Sequence, residues 1–459
     1  MLSSLRQPRA FYRRLLYLAL PVIAQNLITT SLGFMDTFMV GLLGSEEMSA
    51  VTVANVPIFI IQLVVFGLQS GSSVLISQFW GKGDRESINR VMGLGAYIAG
   101  GVSLTFALVM FFLPRQVLLL VTDNLRLIEL AEPYLQIVGF SYVFNSLASV
   151  YIGMQRSIEN PKFGMIVFAL STLCNTVGNY ILIFGKFGAP ALGVTGAAIA
   201  TLASRVLELV LSLGYALRCR RMPLMPRALL RPGTGILRRF LRYSTPVLLN
   251  ETLWGLGTSM FTVVMGHMAI STDILAAYTV AGNIDKLVTV SMFGVAAAAA
   301  VIVGTEIGAG SRESVLQIGK CLSTVAFLVG IGICALELGL YFGLLREHLL
   351  PLFSLNAAAA ALCTVMVVCN AVRCPFDSFV TTMIVGVLRG GGDVHAALLI
   401  DILPLWLFAL PLTALAAAIP GLSPVWVCVA MVTQSVPKVP AGLMRLHSGK
   451  WVRDVTERA

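Results

Sequence analysis

An acidic residue interrupts the first long apolar segment of the chain, where Asp36 stands within the stretch 33-GFMDTFMVG-41. A carboxylate inside an apolar helix is energetically costly, so it is a functional candidate by default. Burial raises the pKa of carboxylates in general toward the range of physiological proton exchange, and their oxygens also bind hard cations such as Na⁺. Asp36 is therefore predicted to bind a proton or Na⁺. A structural acid, hydrogen-bonded to a neighbouring helix, is the alternative.

The apolar segments of the second half of the chain contain a group of charged residues: Glu251, Asp285, Lys286, Arg373 and Asp377. Arg373 and Asp377 are four residues apart and can pair on one helix face. Three acids and two bases leave one negative charge for a cation or proton, if all five face a common cavity. A neutralised structural network is the alternative.

Other polar residues of the apolar segments are expected to have structural roles. Glu208 lies three residues from Arg205, a spacing that favours a local ion pair. Glu337 and Asp401 are expected to stabilise helix ends or neighbouring helices. The eight Cys residues show neither paired nor metal-ligand spacing, so we expect them to pack as small apolar side chains.

The composition of the chain indicates that these acids lie in a bilayer. Of the 459 residues, 57% are hydrophobic and only 12% are charged, against about 25% charged residues in soluble proteins. A membrane-spanning helix needs about 20 mostly apolar residues. This rule predicts an all-α integral membrane protein with twelve spans, at residues 15–40, 50–78, 91–112, 130–152, 163–184, 194–216, 241–266, 276–304, 317–343, 360–388, 396–417 and 422–444.

The distribution of positive charge supports this count and predicts an orientation. Of the 32 Lys and Arg residues, 25 fall in the two termini and the even-numbered loops, whereas Arg115, Arg126, Lys186 and Arg346 fall on the opposite side. By the positive-inside rule, both termini and the even-numbered loops are cytoplasmic. The net charge of +10 is thus a topology signal. We expect contact with membrane lipid, particularly at the Arg-rich 217–240 segment, and no nucleic-acid partner.

The chain also repeats itself. Pro21 and Gly41 return as Pro246 and Gly266 at an offset of 225 residues. Later in the repeat, 81-GKGDRES-87 returns as 308-GAGSRES-314. A duplication of six helices predicts two lobes, 1–216 and 241–459, joined by the basic linker 217–240 and related by an axis along the membrane normal.

The repeated G-x-G-x-R-E-S loops are predicted to form tight cytoplasmic turns that help to cap the following helix. Parallel repeats of this kind recur in secondary transporters. The loops lack the phosphate-binding pattern of an ATPase, so transport by such a protein would be passive or driven by an ion gradient.

These motifs, in this order, resemble those of the multidrug and toxic compound extrusion (MATE) family over roughly residues 15–445. The matching stretches are 36-DTFMVG-41, the two G-x-G-x-R-E-S loops, 175-NTVGNYILIFG-185, 193-GVTGAAIAT-201 and 386-GVLRGGGD-393. The resemblance implies a bacterial transporter of the cytoplasmic (inner) membrane that exports organic, often cationic, compounds. It implies H⁺ or Na⁺ as the coupling ion, and we expect a monomer with no other cofactor.

The resemblance also implies roles for individual residues of the first lobe. Asp36 matches the acid of the family's first helix, and Asn175, Asn179 and Thr201 match the polar partners of that site. Asn175 and Asn179 are four residues apart and share one helix face. Some family members have Asp at the position of Asn179 and therefore two carboxylates in this site. This chain has only one, Asp36. At the repeat offset the counterpart of Asp36 is Phe261, which indicates that the helix itself needs no acid there.

In the second lobe, the resemblance implies a further cation or proton site. The stretch 375-PFD-377 resembles the P-x-D motif of members that bind a cation there, and Glu251 resembles their acid on helix 7 but stands three residues nearer the preceding proline. Na⁺ would accordingly bind at Asp36, or at Glu251 and Asp377, with Asp285, Lys286 and Arg373 close by.

Two other function classes are less consistent with the residues. A lipid-linked saccharide flippase of a related superfamily would need a basic cavity for its anionic substrate. Apart from the Lys and Arg residues assigned to the two membrane surfaces, only three basic residues, Arg205, Lys286 and Arg373, lie inside spans, against more acids. A membrane enzyme would need a nucleophile–base pair or a metal cluster. The four His residues all lie near span ends or in loops, so we predict that the chain is not an enzyme.

Overall fold

The computed structural model describes residues 5–349 and 355–457, and these form helices joined by short loops, with no β-strand among them. In chain order the helices are α1 (Arg9–Gly41), α2 (Ser45–Lys82), α3 (Arg85–Phe112), α4 (Pro114–Leu119), α5 (Leu125–Ser157), α6 (Pro161–Phe184), α7 (Gly193–Arg218), α8 (Pro226–Leu230), α9 (Thr234–Gly266), α10 (Ser271–Gly308), α11 (Arg312–Leu340), α12 (Ala357–Thr381), α13 (Val394–Pro404), α14 (Leu410–Ala418), α15 (Val425–Val432) and α16 (Ser435–Ser448). In the described ranges, three π-helical segments continue α11, α12 and α13: Tyr341–Leu349, Thr382–Leu388 and Leu405–Ala409.

The long helices correspond to the predicted spans. Eleven helical segments of the described residues are long and apolar enough to cross a membrane, and α13–α14 and α15–α16 form the last two of them. The remaining predicted span, 241–266, lies in α9, which is 33 residues long but has Asn250 and Glu251 at its centre. An all-helical membrane protein is therefore confirmed, and the polar residues at the centre of α9 explain why this helix is the least apolar of the twelve.

The chain divides into two compact units. One is Ala24–Leu248, and the other comprises the described residues of 1–23 and 249–459. The boundaries cut α1 after Ile23 and α9 after Leu248, each two residues beyond the proline that the repeat aligns. These units differ from the predicted lobes, 1–216 and 241–459, mainly by the exchange of the first halves of α1 and α9. The lobes 1–216 and 241–459 remain our prediction for the two functional units of a transporter.

The packing of the two halves of α1 shows how the exchange arises. Leu15, Leu18 and Ala19 join a buried core with Ile302 of α10 and Met383 of the π-helical segment after α12. The second half instead places Met39 and Val40 in a core formed by α2, α5 and α7. Asp36 lies on this second half, so its neighbours are helices of the Ala24–Leu248 unit.

The first half of α9 packs within the same unit as Asp36. Phe240 is fully buried there. Ser244 and Leu248 lie so close to Gly71 and Gly67 of α2 that a Cβ at either glycine would overlap them. Small residues allow helix backbones to approach closely where apolar burial alone gives no driving force in lipid.

The predicted capping turn is confirmed in the first repeat. Gly83 ends α2 with a φ of 75°, and the Asp84 side chain accepts a hydrogen bond of 2.9 Å from the backbone N–H of Ser87. This satisfies one of the free donors at the start of α3. In the second repeat Gly310 has a φ of 85°, but the Ser311 side chain does not cap α11.

Replacing Gly71 by Ala tests the close packing of α2 and α9. The added Cβ would overlap Ser244, and overpacking of this kind costs about 1–3 kcal/mol. We expect Gly71→Ala to lower the melting temperature of the purified protein in detergent.

The matched control is Gly101→Ala on α3, where a Cβ would meet nothing within 4 Å. Because Ala favours helix over Gly by about 1 kcal/mol, this control should be neutral or stabilising. Equal melting temperatures for the two variants would contradict the packing.

Candidate functional site

A chain of hydrogen bonds connects Asp36 to two other helices of the Ala24–Leu248 unit. Asn179 of α6 donates from Nδ2 to Asp36 Oδ1 at 2.6 Å and to Asn175 Oδ1 at 3.0 Å. Asn175 Nδ2 in turn donates to Thr201 Oγ1 of α7 at 3.2 Å. The structure therefore brings together the four predicted residues, which we name the Asp36 site.

Close contact between α6 and α7 positions the two amides. A Cβ at Gly178 would lie 3.0 Å from the Ala200 side chain, so the small residues at these positions let the helices meet beside Asn175 and Asn179. Both amides are buried, whereas Asp36 is half-buried. Asp36 is thus the accessible end of a series of hydrogen-bonded side chains whose two amides are buried.

The chemistry of Asn179 suits a carboxylate that changes its protonation state. A side-chain amide offers both donors and an acceptor. Asn179 Nδ2 already donates to Asp36, and its Oδ1 is buried without a hydrogen-bond partner among the described residues. A modest reorientation would let that oxygen accept a hydrogen bond from the O–H of a protonated, neutral Asp36. The arrangement can therefore stabilise the acid in either form without a basic residue at ion-pair distance.

A second polar group continues the Asp36 site along α7. Arg205, four residues after Thr201, pairs with Glu208 at 2.6 Å, which confirms the predicted local ion pair. Glu208 is fully buried and also accepts hydrogen bonds from Ser171 at 2.6 Å and Asn145 at 3.0 Å. With all these partners, Glu208 has the environment of a structural acid.

Three of the five charged residues predicted to form a group in the second half do meet. Arg373 of α12 lies 2.9 Å from Asp377 and 3.7 Å from Asp285 of α10. The pairing of Arg373 with Asp377 is confirmed, and Ser435 also donates a hydrogen bond to Asp377. Lys286 is exposed. We name Asp285, Arg373 and Asp377 the Arg373 cluster.

Glu251 has a different partner. It pairs with the buried Arg389 at 2.7 Å, and the described residues show no ion pair between Glu251 and Arg373. The five predicted residues are therefore not joined in one network of contacts. Arg389 was counted in a loop by the charge analysis, so sequence reasoning missed this pair.

A further buried network lies beside Glu251 along α9. Asn250 donates to Asp401 at 2.8 Å, and Lys438 pairs with Asp401 at 2.7 Å. The sequence carried one signal for this network. Lys438 was counted with the positive charges of the C-terminus, but it falls within the predicted span 422–444, and a Lys inside a span needs an acidic partner. The prediction that Asp401 stabilises neighbouring helices agrees with these contacts.

Sequence reasoning also missed a thiol among the acids. Cys374 of α12 lies 3.5 Å from Glu337 of α11, where its Sγ donates to Oε2, and both side chains are buried. Their ligand atoms and one from Asp285 all lie within 4.8 Å of one another. All eight Cys residues are free thiols. Because the three residues come from three different helices, no sequence spacing indicates the group.

Comparison with known proteins shows which family this chain belongs to. The sequence model of the MatE family matches residues 21–181 and again 246–415, so it recognises both halves of the duplication. The chain belongs to the MatE family. Among similar MatE proteins, the probable multidrug resistance protein NorM of Thermotoga maritima is 26% identical over 446 residues, covering 96% of this chain and 93% of its own. The multidrug resistance protein MdtK of Edwardsiella ictaluri is 27% identical over 409 residues, covering 87% of this chain and 86% of its own.

Solved MATE structures share the fold of this MatE protein. A variant of the Vibrio cholerae MATE transporter VcmN superposes with a TM-score of 0.85 at 19% identity, covering 96% of this chain and 98% of its own. A MOP superfamily transporter from Pyrococcus furiosus, described as having a binding pocket of reversed polarity, gives 0.84 at 20% identity, covering 95% and 96%. At these identities the likeness establishes the fold. The prediction of twelve transmembrane helices in two six-helix lobes is confirmed.

Glu208→Gln tests the structural reading of the Arg205–Glu208 pair. Gln keeps the size and the hydrogen-bonding capacity of the side chain but leaves Arg205 as an uncompensated charge. Removing one partner of a buried ion pair costs about 3–5 kcal/mol. We expect a clear loss of stability in thermal unfolding in detergent.

The control for this variant is Glu86→Gln, which breaks the exposed i,i+4 pair of Glu86 and Arg90. Exposed pairs contribute about 0–1 kcal/mol. A Glu208→Gln protein as stable as this control would show that the buried pair is not structural.

Proposed function

We propose that this MatE protein is a secondary active antiporter that exports small organic cations or amphiphiles in exchange for H⁺ or Na⁺. Family membership and the multidrug resistance names of the relatives support the class of transporter. The observation that carries the coupling mechanism is the environment of Asp36.

Asp36 differs from most other acids within the long helices. Glu208, Glu251, Asp285, Asp377 and Asp401 each have an Arg or Lys at ion-pair distance. Asp36 instead accepts a hydrogen bond from a neutral amide, and no Arg or Lys of the described residues lies within 4 Å of it. Its charge is therefore open to compensation by a proton, a metal cation or an organic cation, and we assign it the coupling role.

Competition for this carboxylate is the simplest form of coupling. A coupling ion at Asp36 stabilises one arrangement of the transporter, and an organic cation stabilises the other. Exchange then follows if each ligand prefers its own state, because a ligand shifts an equilibrium only by its differential affinity. The single carboxylate of the Asp36 site favours H⁺ over Na⁺, since a hard cation needs several oxygen ligands.

The unit formed by the described residues of 1–23 and 249–459 would contribute a further site for a coupling ion or substrate. Asp285, Asp377 and Glu251 are proposed to tune the coupling or substrate preference, although their basic partners already compensate much of their charge. The excess of acids over bases within the spans supports a cationic substrate. The flippase alternative gains no support from the relatives, which are named as multidrug resistance proteins.

The cellular setting follows from the family and from the charge distribution. The chain is a multi-pass membrane protein of a bacterial family, which suits the inner membrane. We propose that both termini are cytoplasmic because 25 of the 32 Lys and Arg residues fall on that side. We also propose that it acts as a monomer in contact with lipid, with the coupling ion as its only cofactor.

Efflux from proteoliposomes tests this function. Purified protein is reconstituted, ethidium is supplied as the organic cation, and a pH gradient and a Na⁺ gradient are imposed separately. We expect the wild type to move ethidium against its gradient when the pH gradient is present. Asp36→Asn should reduce transport to the rate of protein-free liposomes, because the amide cannot exchange a proton.

The matched control is Asp123→Asn, which changes an exposed acid in the loop before α5. It should transport like the wild type. Wild-type efflux by Asp36→Asn would contradict the role of Asp36, and efflux driven by Na⁺ alone would identify Na⁺ as the coupling ion. Absence of efflux from the wild type under both gradients would contradict the proposed function.

A further inference from the structure

The group of Asp285, Glu337 and Cys374 combines three potential metal ligands from three helices. One ligand atom from each lies within 4.8 Å of the other two, and Cys374 Sγ and Glu337 Oε2 are already 3.5 Å apart. Ligands about 2.0–2.3 Å from a tetrahedral metal are about 3.3–3.8 Å from one another. Small rotations of the side chains would therefore bring all three to bonding distance of one ion.

Each of the two carboxylates of this group has one oxygen atom without a hydrogen-bond partner among the described residues. Glu337 is fully buried, and its Oε1 has no hydrogen-bond partner among them. The same is true of Asp285 Oδ1, although Asp285 Oδ2 lies 3.7 Å from Arg373. A buried carboxylate oxygen without a partner is costly, so these two atoms point to a missing positive charge or proton.

The local charge leads to the same conclusion. Asp285, Glu337 and Asp377 are three acids, whereas Arg373 is the one basic residue of the described structure that forms ion pairs with any of them. Arg373 is closest to Asp377, at 2.9 Å. With Cys374 as a neutral thiol, the formal charge left over is two negative units. Metal binding would release the Cys374 proton to solvent and make it three, so a divalent cation would reduce the local charge to one negative unit.

We propose that Asp285, Glu337 and Cys374 form a binding site for a divalent transition-metal ion of the Zn²⁺ type. Hard ions such as Mg²⁺ and Ca²⁺ prefer oxygen ligands alone, whereas a thiolate selects softer ions. Two carboxylates and one thiolate, with water as a fourth ligand, match an open zinc site. Asp285 is the most exposed of the three residues and marks the route of entry.

This site is separate from the Asp36 site, although it shares Asp285 with the residues proposed to tune the coupling or substrate preference. Metal binding itself does not depend on the proposed transport function. The site's three ligands all lie in the unit formed by the described residues of 1–23 and 249–459, whereas Asp36 lies in Ala24–Leu248. A bound ion would fix α10, α11 and α12 to one another. Binding can therefore be measured on purified protein without any transport assay.

Titration of the purified, tag-free protein with Co²⁺ tests the proposal, because a thiolate–Co²⁺ bond produces a charge-transfer absorption in the near ultraviolet. We expect a saturable band at about one Co²⁺ per chain that Zn²⁺ displaces. Cys374→Ser should abolish the band. Glu337→Gln and Asp285→Asn should each weaken Co²⁺ binding by at least about tenfold, since even changes outside the ligand set of metal sites cost 10–100-fold.

The control is Cys363→Ser, which removes another buried thiol of α12 that lies eleven residues away, or about 16 Å along the helix. It should keep the band. Zn²⁺ should also raise the melting temperature of the wild type and of Cys363→Ser but not of Glu337→Gln, because a ligand stabilises only the state that binds it. A wild type without a thiolate band, or a band that persists in Cys374→Ser, would overturn the proposal.

Discussion

Charge compensation inside apolar helices is the constraint on which this structure depends. The acids within the spans are held by Arg or Lys at Glu208, Glu251, Asp377 and Asp401. Two of these pairs, Glu251–Arg389 and Asp401–Lys438, join different helical segments, and all four leave little charge to exchange. Asp36 is held by Asn179, a neutral amide. Its protonation or occupancy can therefore change without leaving another charge buried and unpaired, which is what ion coupling requires.

The surrounding fold positions this one acid with small residues and shared helices. Gly178 and Ala200 bring α6 and α7 into contact, so that Thr201, Asn175 and Asn179 form a series of hydrogen bonds that ends at Asp36 of α1. The half of α1 that carries Asp36 packs in one compact unit and the half before it packs in the other. The helix that carries Asp36 thus contributes residues to both units. The repeat offset places the equivalent division in α9.

Much of this architecture could be predicted from the sequence because apolar length, charge bias and repeat spacing are local or periodic signals. The spans, the Arg373–Asp377 and Arg205–Glu208 pairs and the capping turn before α3 were all predictable in this way. Partners on different helices were not. Glu251 pairs with Arg389 and Glu337 meets Cys374 across more than thirty intervening residues, so only the tertiary fold brings them together. The grouping of Asn175, Asn179 and Thr201 with Asp36 was accessible through family resemblance rather than spacing.

The central claim is that an organic cation and a proton compete for Asp36. The most direct test is the release of protons when tetraphenylphosphonium is added to purified protein in weakly buffered detergent solution, followed with a pH indicator. The account predicts saturable proton release by the wild type and none by Asp36→Asn. Substrate binding without proton release in the wild type, or equal release by the variant, would contradict it.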